Sequence, residues 1–271
     1  MLENNTIDLA IINSIDNEFN KDIYKALKPG AYLFSIDKPY KAHNSVCNIE
    51  DIGFEIKDSI SYFFAENEEV KQYTICLAMK PLSEKNFAEN VMKWGTGGLN
   101  IDKCRIGYET TPNPATNPLY RAQNGYKIPE KGQESKGAVK FTSSKNEINP
   151  EGRYPANFII SEDIAHVLDK QSGYSKSSKS KERDELKEKT LYKGGWKEIH
   201  RTSFTDEGGA SRFFYNSKSF EDLLKYITIL GLPPKDSKVL FIGFDNVDEI
   251  IEEINRDSDV SYEAITIGGS K

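Results

Sequence analysis

A chain of 271 residues, 37% of them hydrophobic, is long enough for one α/β domain with a sizeable core and a large insertion. No apolar run is long enough to cross a bilayer, and the start MLENNTIDLAIIN lacks the basic, apolar and small-residue succession of a secretory signal, so a cytoplasmic protein with no membrane association is expected. The formal charge of −6 excludes a uniformly basic nucleic-acid binder, yet residues 1–109 carry 12 Lys/Arg against 17 Asp/Glu and residues 204–271 carry 7 against 13, which leaves 110–203 at +5, the profile of a basic reader inserted into an acidic scaffold.

Residues 7–13 (IDLAIIN) form a short apolar run suited to a buried parallel strand. Residues 20–28 (NKDIYKALK) place Ile23, Tyr24 and Leu27 on one helical face, and the pair Pro29-Gly30 is expected to end that helix. A strand at 31–36 (AYLFSI) and a helix near 40–51 follow. In 54–64 (FEIKDSISYFF) Phe54, Ile56, Asp58, Ile60 and Tyr62 share one side of a strand in period two, and 72–79 (QYTICLAM) closes this half. Strands alternating with helices imply a mostly parallel, doubly wound sheet.

The stretch 81–203 differs in texture, with WGTGG at 94–98, TTPNPATNP at 110–118 and a polar run at 172–189. Strand-like order returns at 157–161 (NFIIS). The α/β rhythm resumes with an amphipathic helix at 220–230, ended by GLPP, then a strand at 238–243, a helix at 247–255 and a strand at 262–267. The expected organisation is a first half-sheet at 1–80, a basic, loop-rich insertion at 81–203, and a second half-sheet at 204–271. Cys47, Cys76 and Cys104 form no C-x-x-C pair, and His43, His166 and His200 are not spaced to share an ion, so neither a metal site nor a disulfide framework is expected. Cys47 and Cys76 lie in apolar runs and read as core residues.

The segments ALKPGAYLFS (26–35), AMKPLSEKNFAENVMKWGTGGLNIDKCRIG (78–107), GRYPANFIIS (152–161) and GGASRFFYNSKS (208–219) resemble the shared blocks of beta-class DNA amino-methyltransferases, specific for adenine-N6 or cytosine-N4. The resemblance runs from about residue 6 to residue 267. It implies a Rossmann-like methyltransferase fold in permuted order, with the catalytic half first, a target-recognition insertion next and the cofactor half last. Active relatives hold S-adenosylmethionine and receive a base flipped out of the duplex.

Three elements depart from that family. The catalytic tetrapeptide, an Asp, Asn or Ser followed by Pro-Pro-Tyr, is replaced by Asn13-Ser14-Ile15-Asp16, with neither prolines nor aromatic ring. Misplacing the amine by about 1 Å costs roughly a hundredfold in rate. The glycine-rich cofactor loop becomes Phe241-Ile242-Gly243-Phe244-Asp245-Asn246-Val247, in which Phe241 replaces an acid and Phe244 and Val247 stand where small residues are expected. Asn216-Ser217-Lys218-Ser219 replaces a His-Pro-x-x-Lys-Pro segment, and YEAITI ends in Gly268-Gly269 where a ribose-holding acid is expected. A displaced tetrapeptide, Asp37-Lys38-Pro39-Tyr40, follows the second strand rather than the first and reads as a loop with a helix start.

The nucleic-acid blocks are kept. Lys93, Trp94, Thr96, Asn100 and Arg105 suit phosphate contact, and Arg121, Tyr126, Lys127, Arg153, Tyr154 and Asn157 lie in or beside the basic insertion. Arg212-Phe213-Phe214-Tyr215 reads as architecture against the sheet edge. The expected function is a degenerate methyltransferase-like subunit of a restriction-modification type, with no catalytic residues and no cofactor of its own. It is expected to bind double-stranded DNA, an active homologous methyltransferase, or both, in support of site-specific methylation; the partner, in a heterodimer or higher assembly, carries S-adenosylmethionine in its own site. The alternatives are an active S-adenosylmethionine-dependent adenine-N6 enzyme with a displaced site, and a decoy or inhibitor of a methyltransferase.

Overall fold

In a computed structural model of the chain, residues 2–15, 21–107, 152–176, 207–233, 235–256 and 260–268 are described. Along them run β1 (Ile7–Asn13), α1 (Lys21–Ala26), β2 (Leu27–Asp37), α2 (Ala42–Ile52), β3 (Glu55–Glu66), β4 (Glu69–Met79) and α3 (Phe87–Trp94). After them come β5 (Phe158–Ser161), α4 (Glu162–Ser172), β6 (Ser175–Lys176), β7 (Glu207–Gly208), β8 (Tyr215–Ser217), α5 (Phe220–Gly231), β9 (Ser237–Ile242), α6 (Val247–Arg256) and β10 (Tyr262–Ile267). Eight strands form one sheet in the order β10-β9-β1-β2-β4-β3-β5-β8, and β6 pairs with β7 apart from it. Only β4 runs against its neighbours in the large sheet.

This is the mostly parallel, Rossmann-like sheet expected, with the amino-terminal strands and the last two strands joined through β1 and β9. The central strand β1 is buried on both faces, which is why its sequence is a continuous apolar run rather than an alternating one. Ile7, Ala10 and Ile12 face α1 and α2, while Leu9 and Ile11 face α5 and α6. From β1 the chain proceeds through α1 to β2; from β9 it proceeds through α6 to β10 on the other side. The connections diverge at the β1/β9 seam, the topological switch point of a doubly wound sheet. No helix among the described residues is long and apolar enough to cross a membrane.

Three local expectations are corrected. The first helix ends at Ala26, and Pro29-Gly30 lies inside β2. There Gly30 adopts φ 79°, and the register against β1 jumps between the pairs Ile7/Leu27 and Leu9/Tyr32, so the glycine serves a bulge rather than a helix stop. Along β3 the period-two face is broken by a second irregularity between Ile56 and Asp58. Phe54 and Ile56 therefore pack with α1 and α2, while Ile60 and Tyr62 pack on the opposite face and Asp58 is exposed. Cys47 is exposed on α2, whereas Cys76 and Cys104 are buried.

The segment 81–203 supplies β5, which lies between β3 and the edge strand β8, and its turn Asp102–Cys104 packs on α5, where the Tyr226 hydroxyl donates to the Cys104 carbonyl at 3.3 Å. The residues 108–151 and 177–206, including much of the basic insertion, lie outside the described residues.

The end of α5 presses on the sheet. A Cβ at Gly231 would stand 2.6 Å from Leu9 Cδ1 and 2.7 Å from Phe34 Cε2, closer than carbon atoms approach. Gly231→Ala is expected to lower stability by about 1–3 kcal/mol through overpacking. Gly98→Ala, where no atom lies within 4 Å of the added methyl, is expected to change it far less. Urea denaturation of both variants checks the contrast.

Candidate functional site

In open α/β sheets ligands sit outside the carboxyl ends of the strands at the switch point. Here that place is bridged by hydrogen bonds. Asn13 ends β1, and its Nδ2 donates to the Gly243 carbonyl at 3.2 Å, while Gly243 N donates to the Ile267 carbonyl at 3.0 Å. One chain of bonds thus runs across the carboxyl ends of β1, β9 and β10. The Asn13 Oδ1 accepts from Ile15 N at 3.3 Å, so both ends of the amide are engaged locally. Ser14 pairs with Ser35 at 2.6 Å between the hydroxyls. Asp16 lies outside the described residues.

The turn after β9 is filled by aromatic side chains. Phe241 is fully buried and Phe244 is 5% exposed. Their rings meet edge to face at 6.2 Å, and Phe220, at the start of α5, stacks on Phe244 at 6.4 Å. Val247 is buried in the same cluster. Gly243 makes the turn with φ 75° and Asn246 completes it with φ 56°, leaving Asp245 exposed. Residues 216–219 lead from the end of β8 to the cap of α5: Ser219 accepts from Asp222 N at 3.2 Å as N-cap, and Asp222 accepts from Lys218 N at 3.0 Å. At these elements Asn13 and Ser219 are thus committed to hydrogen bonds and caps, and Phe241, Phe244 and Val247 to packing.

The displaced tetrapeptide separates in space. Asp37 is 2% exposed, on the face covered by α2, whereas Tyr40 is 67% exposed. Burial raises the Asp37 carboxyl above the ordinary carboxylate range, offset in part by the Ser45 hydroxyl and the Lys41 charge. Asp37 is therefore the buried end of β2 and not part of the loop expected at 37–40. Asp8 in IDLAIIN is another buried acid.

The residues expected at nucleic acid do not gather at this mouth. Lys93, Trp94 and Thr96 lie at the opposite, amino end of the strands. There the Thr96 hydroxyl donates to the Pro29 carbonyl at 2.6 Å, and Asn90 Nδ2 donates to the Pro29 and Thr96 carbonyls, each at 2.9 Å. Asn90, unnoticed in the sequence, is fully buried, and with WGTGG it satisfies the carbonyl that the β2 bulge turns out of the ladder. Trp94 Nε1 donates to Ser83 Oγ at 2.7 Å, and Lys93 pairs with Glu84 at 2.5 Å. Asn100 N donates to the Leu230 carbonyl at 2.9 Å, and the residue lines a cavity of about 220 Å³ with Lys103 and Lys225.

Arg105 pairs with Asp102 at 2.8 Å. Arg153 donates to the Arg212 carbonyl at 2.9 Å and lies over the Phe213 ring, and its backbone pairs with Ile106. Asn157 Nδ2 donates to Asp58 at 2.7 Å, while Tyr154 is 57% exposed. Arg121, Tyr126 and Lys127 lie outside the described residues. The expected architecture of 212–215 is present: Arg212 is buried on the carbonyls of Gly208 and Gly209, Phe214 packs on Phe158 at 5.0 Å, and Tyr215 stacks on Tyr226 at 3.9 Å.

No family model and no curated protein matches the chain by sequence. Among solved structures it is similar to the crystal structure of the M1.HpyAVI–SAM complex, with 10% identity, 99% of this chain and 84% of that chain covered, and a TM-score of 0.41. It is also similar to the crystal structure of M1.HpyAVI, with 9% identity, 97% and 82% covered, and a TM-score of 0.42. The fold is defined by the strand order given above: an open, doubly wound α/β sheet with its switch point between β1 and β9.

Asn90→Ala is expected to cost about 2–3 kcal/mol, because buried carbonyl and amide groups lose their partners together. Compared at equal folded fraction by fluorescence anisotropy on duplex DNA, the variant is expected to match the parent chain.

Proposed function

We propose that this chain is a non-catalytic DNA-methyltransferase-like subunit. It binds DNA, an active homologous methyltransferase, or both, and supports site-specific methylation by that partner. The observation that carries this reading is the filled switch point, where Phe244 and Val247 are buried and the Asn13 side chain is bonded to Gly243. A donor seated there would need small residues in the turn, and a reacting base would need a free polar group and a stacking ring after β1. The sequence blocks outside these places still resemble the family's, in the family's order.

Of the residues proposed for nucleic acid, Tyr154 is an exposed aromatic, 57% accessible, and is the one to substitute. Arg153 is tied to the carbonyls of Gly107 and Arg212, so a loss of binding in Arg153→Ala would mix folding with contact.

Calorimetric titration with S-adenosylmethionine to millimolar concentration is expected to give no heat of binding. Adding the chain to an intact methyltransferase from the same source is expected to raise its rate on DNA, with Asn13→Ala in this chain without effect. Micromolar donor binding, or a rate collapse on Asn13→Ala, would favour an active enzyme; a lowered partner rate would favour a decoy.

A further inference from the structure

We propose that Asp37 is a pH-dependent latch for α2: with its carboxyl neutral the helix sits closed over β2 and β4, and with it ionised that seat weakens and Cys76 is uncovered. Asp37 is the last residue of β2, 2% exposed, and among the described residues neither carboxylate oxygen has a partner within hydrogen-bond geometry. A charge shut away from water, eased only in part by the Ser45 hydroxyl and the Lys41 ammonium, is costly, and the cost is relieved by protonation or by opening. The element above it is lightly held. Of the eleven residues of α2 only Ala42 and Ile49 are buried, and its N-cap residue, Lys41, makes no side-chain cap bond.

Val46 and Ile52 add partial packing on the same face. The helix therefore opens at lower cost than β1 or α5, whose side chains lie in the core.

Among the described residues the groups facing Asp37 are few. From α2 come Lys41, whose charge favours the carboxylate, the Ser45 hydroxyl and, near Cys76, Glu50. From β4 comes Cys76, 4% exposed, whose thiol burial pushes up to about 11. Ser35, two residues back along β2, is engaged with Ser14 from the end of β1. Because the carboxyl titrates higher in the closed state than in the open one, closure is fully supported below the open-state value. It is lost progressively as pH rises to the closed-state value and stays at its lowest above that.

The test uses the full chain with Cys47→Ser, so that Cys76 and Cys104 are the thiols present. Iodoacetamide labelling of Cys76, followed by mass spectrometry across pH 5–9 as an experimental range on the order of the carboxylate and thiol titrations, is compared with and without Asp37→Asn. Thiolate formation in the open state affects both alike, so the ratio of rates reads the opening. The ratio is expected to grow with pH to several-fold faster labelling in the Asp37 chain, with Cys104 under α5 unchanged. A ratio of one throughout overturns the latch. Hydrogen exchange on the unsubstituted chain gives a second reading: protection of α2 amides relative to α5 amides is expected to fall several-fold over the same range, and a constant relative protection overturns the proposal.

Discussion

The fold depends on a seam between strands from opposite ends of the chain. β1 and β9 pair in parallel, and their polar ties lie at the two ends of the pairing. At the amino end the buried Asp8 takes Lys28 at 2.7 Å, the Lys238 amide at 3.1 Å and Lys235 at 3.6 Å. At the carboxyl end Asn13 reaches Gly243 across 230 residues of sequence. A buried carboxylate with two ammonium groups and an amide around it is compensated, whereas one left alone would oppose folding. The pairing of β1 with β9 thus closes a loop of more than two hundred residues of sequence, and these ties hold its ends together.

The same seam creates and then occupies the place where a doubly wound sheet receives a ligand. The crevice arises because the connections from β1 and β9 diverge, and one backbone bond, from Gly243 N to the Ile267 carbonyl, crosses its rim. Closure comes from side chains: Phe241, Phe244 and Phe220 pack around the turn, and their burial contributes stabilisation of the order of a few kcal/mol. Stability and openness compete at this position. A glycine-rich turn would keep room for a donor at the expense of core, and this chain has the opposite composition.

Strands and helices that form a continuous run or a clean helical face were legible without coordinates. β1 and β10 have the bounds their apolar runs indicate, and α5 and α6 follow from their amphipathic spacing. What was hidden depends on bulges. Pro29-Gly30 looks like a helix stop because glycine and proline punctuate helices and strands alike, and only pairing with β1 tells which. Between Ile56 and Asp58 an irregular register reverses the faces of β3, which no periodicity count detects. At the site, the loss of small residues around Phe244 was readable as composition. The employment of Thr96, Trp94 and Arg153 on internal partners was not, because the same residue types serve phosphates and orphaned carbonyls equally well.

The filled crevice is tested most directly by a crystal structure determined after soaking the chain in S-adenosylmethionine. The expected result is an unchanged turn, with the Phe244 ring still packed between Phe241 and Phe220 and no donor density at the carboxyl ends of β1 and β9. Donor density beside Gly243, with Phe244 rotated out of the core, would contradict it.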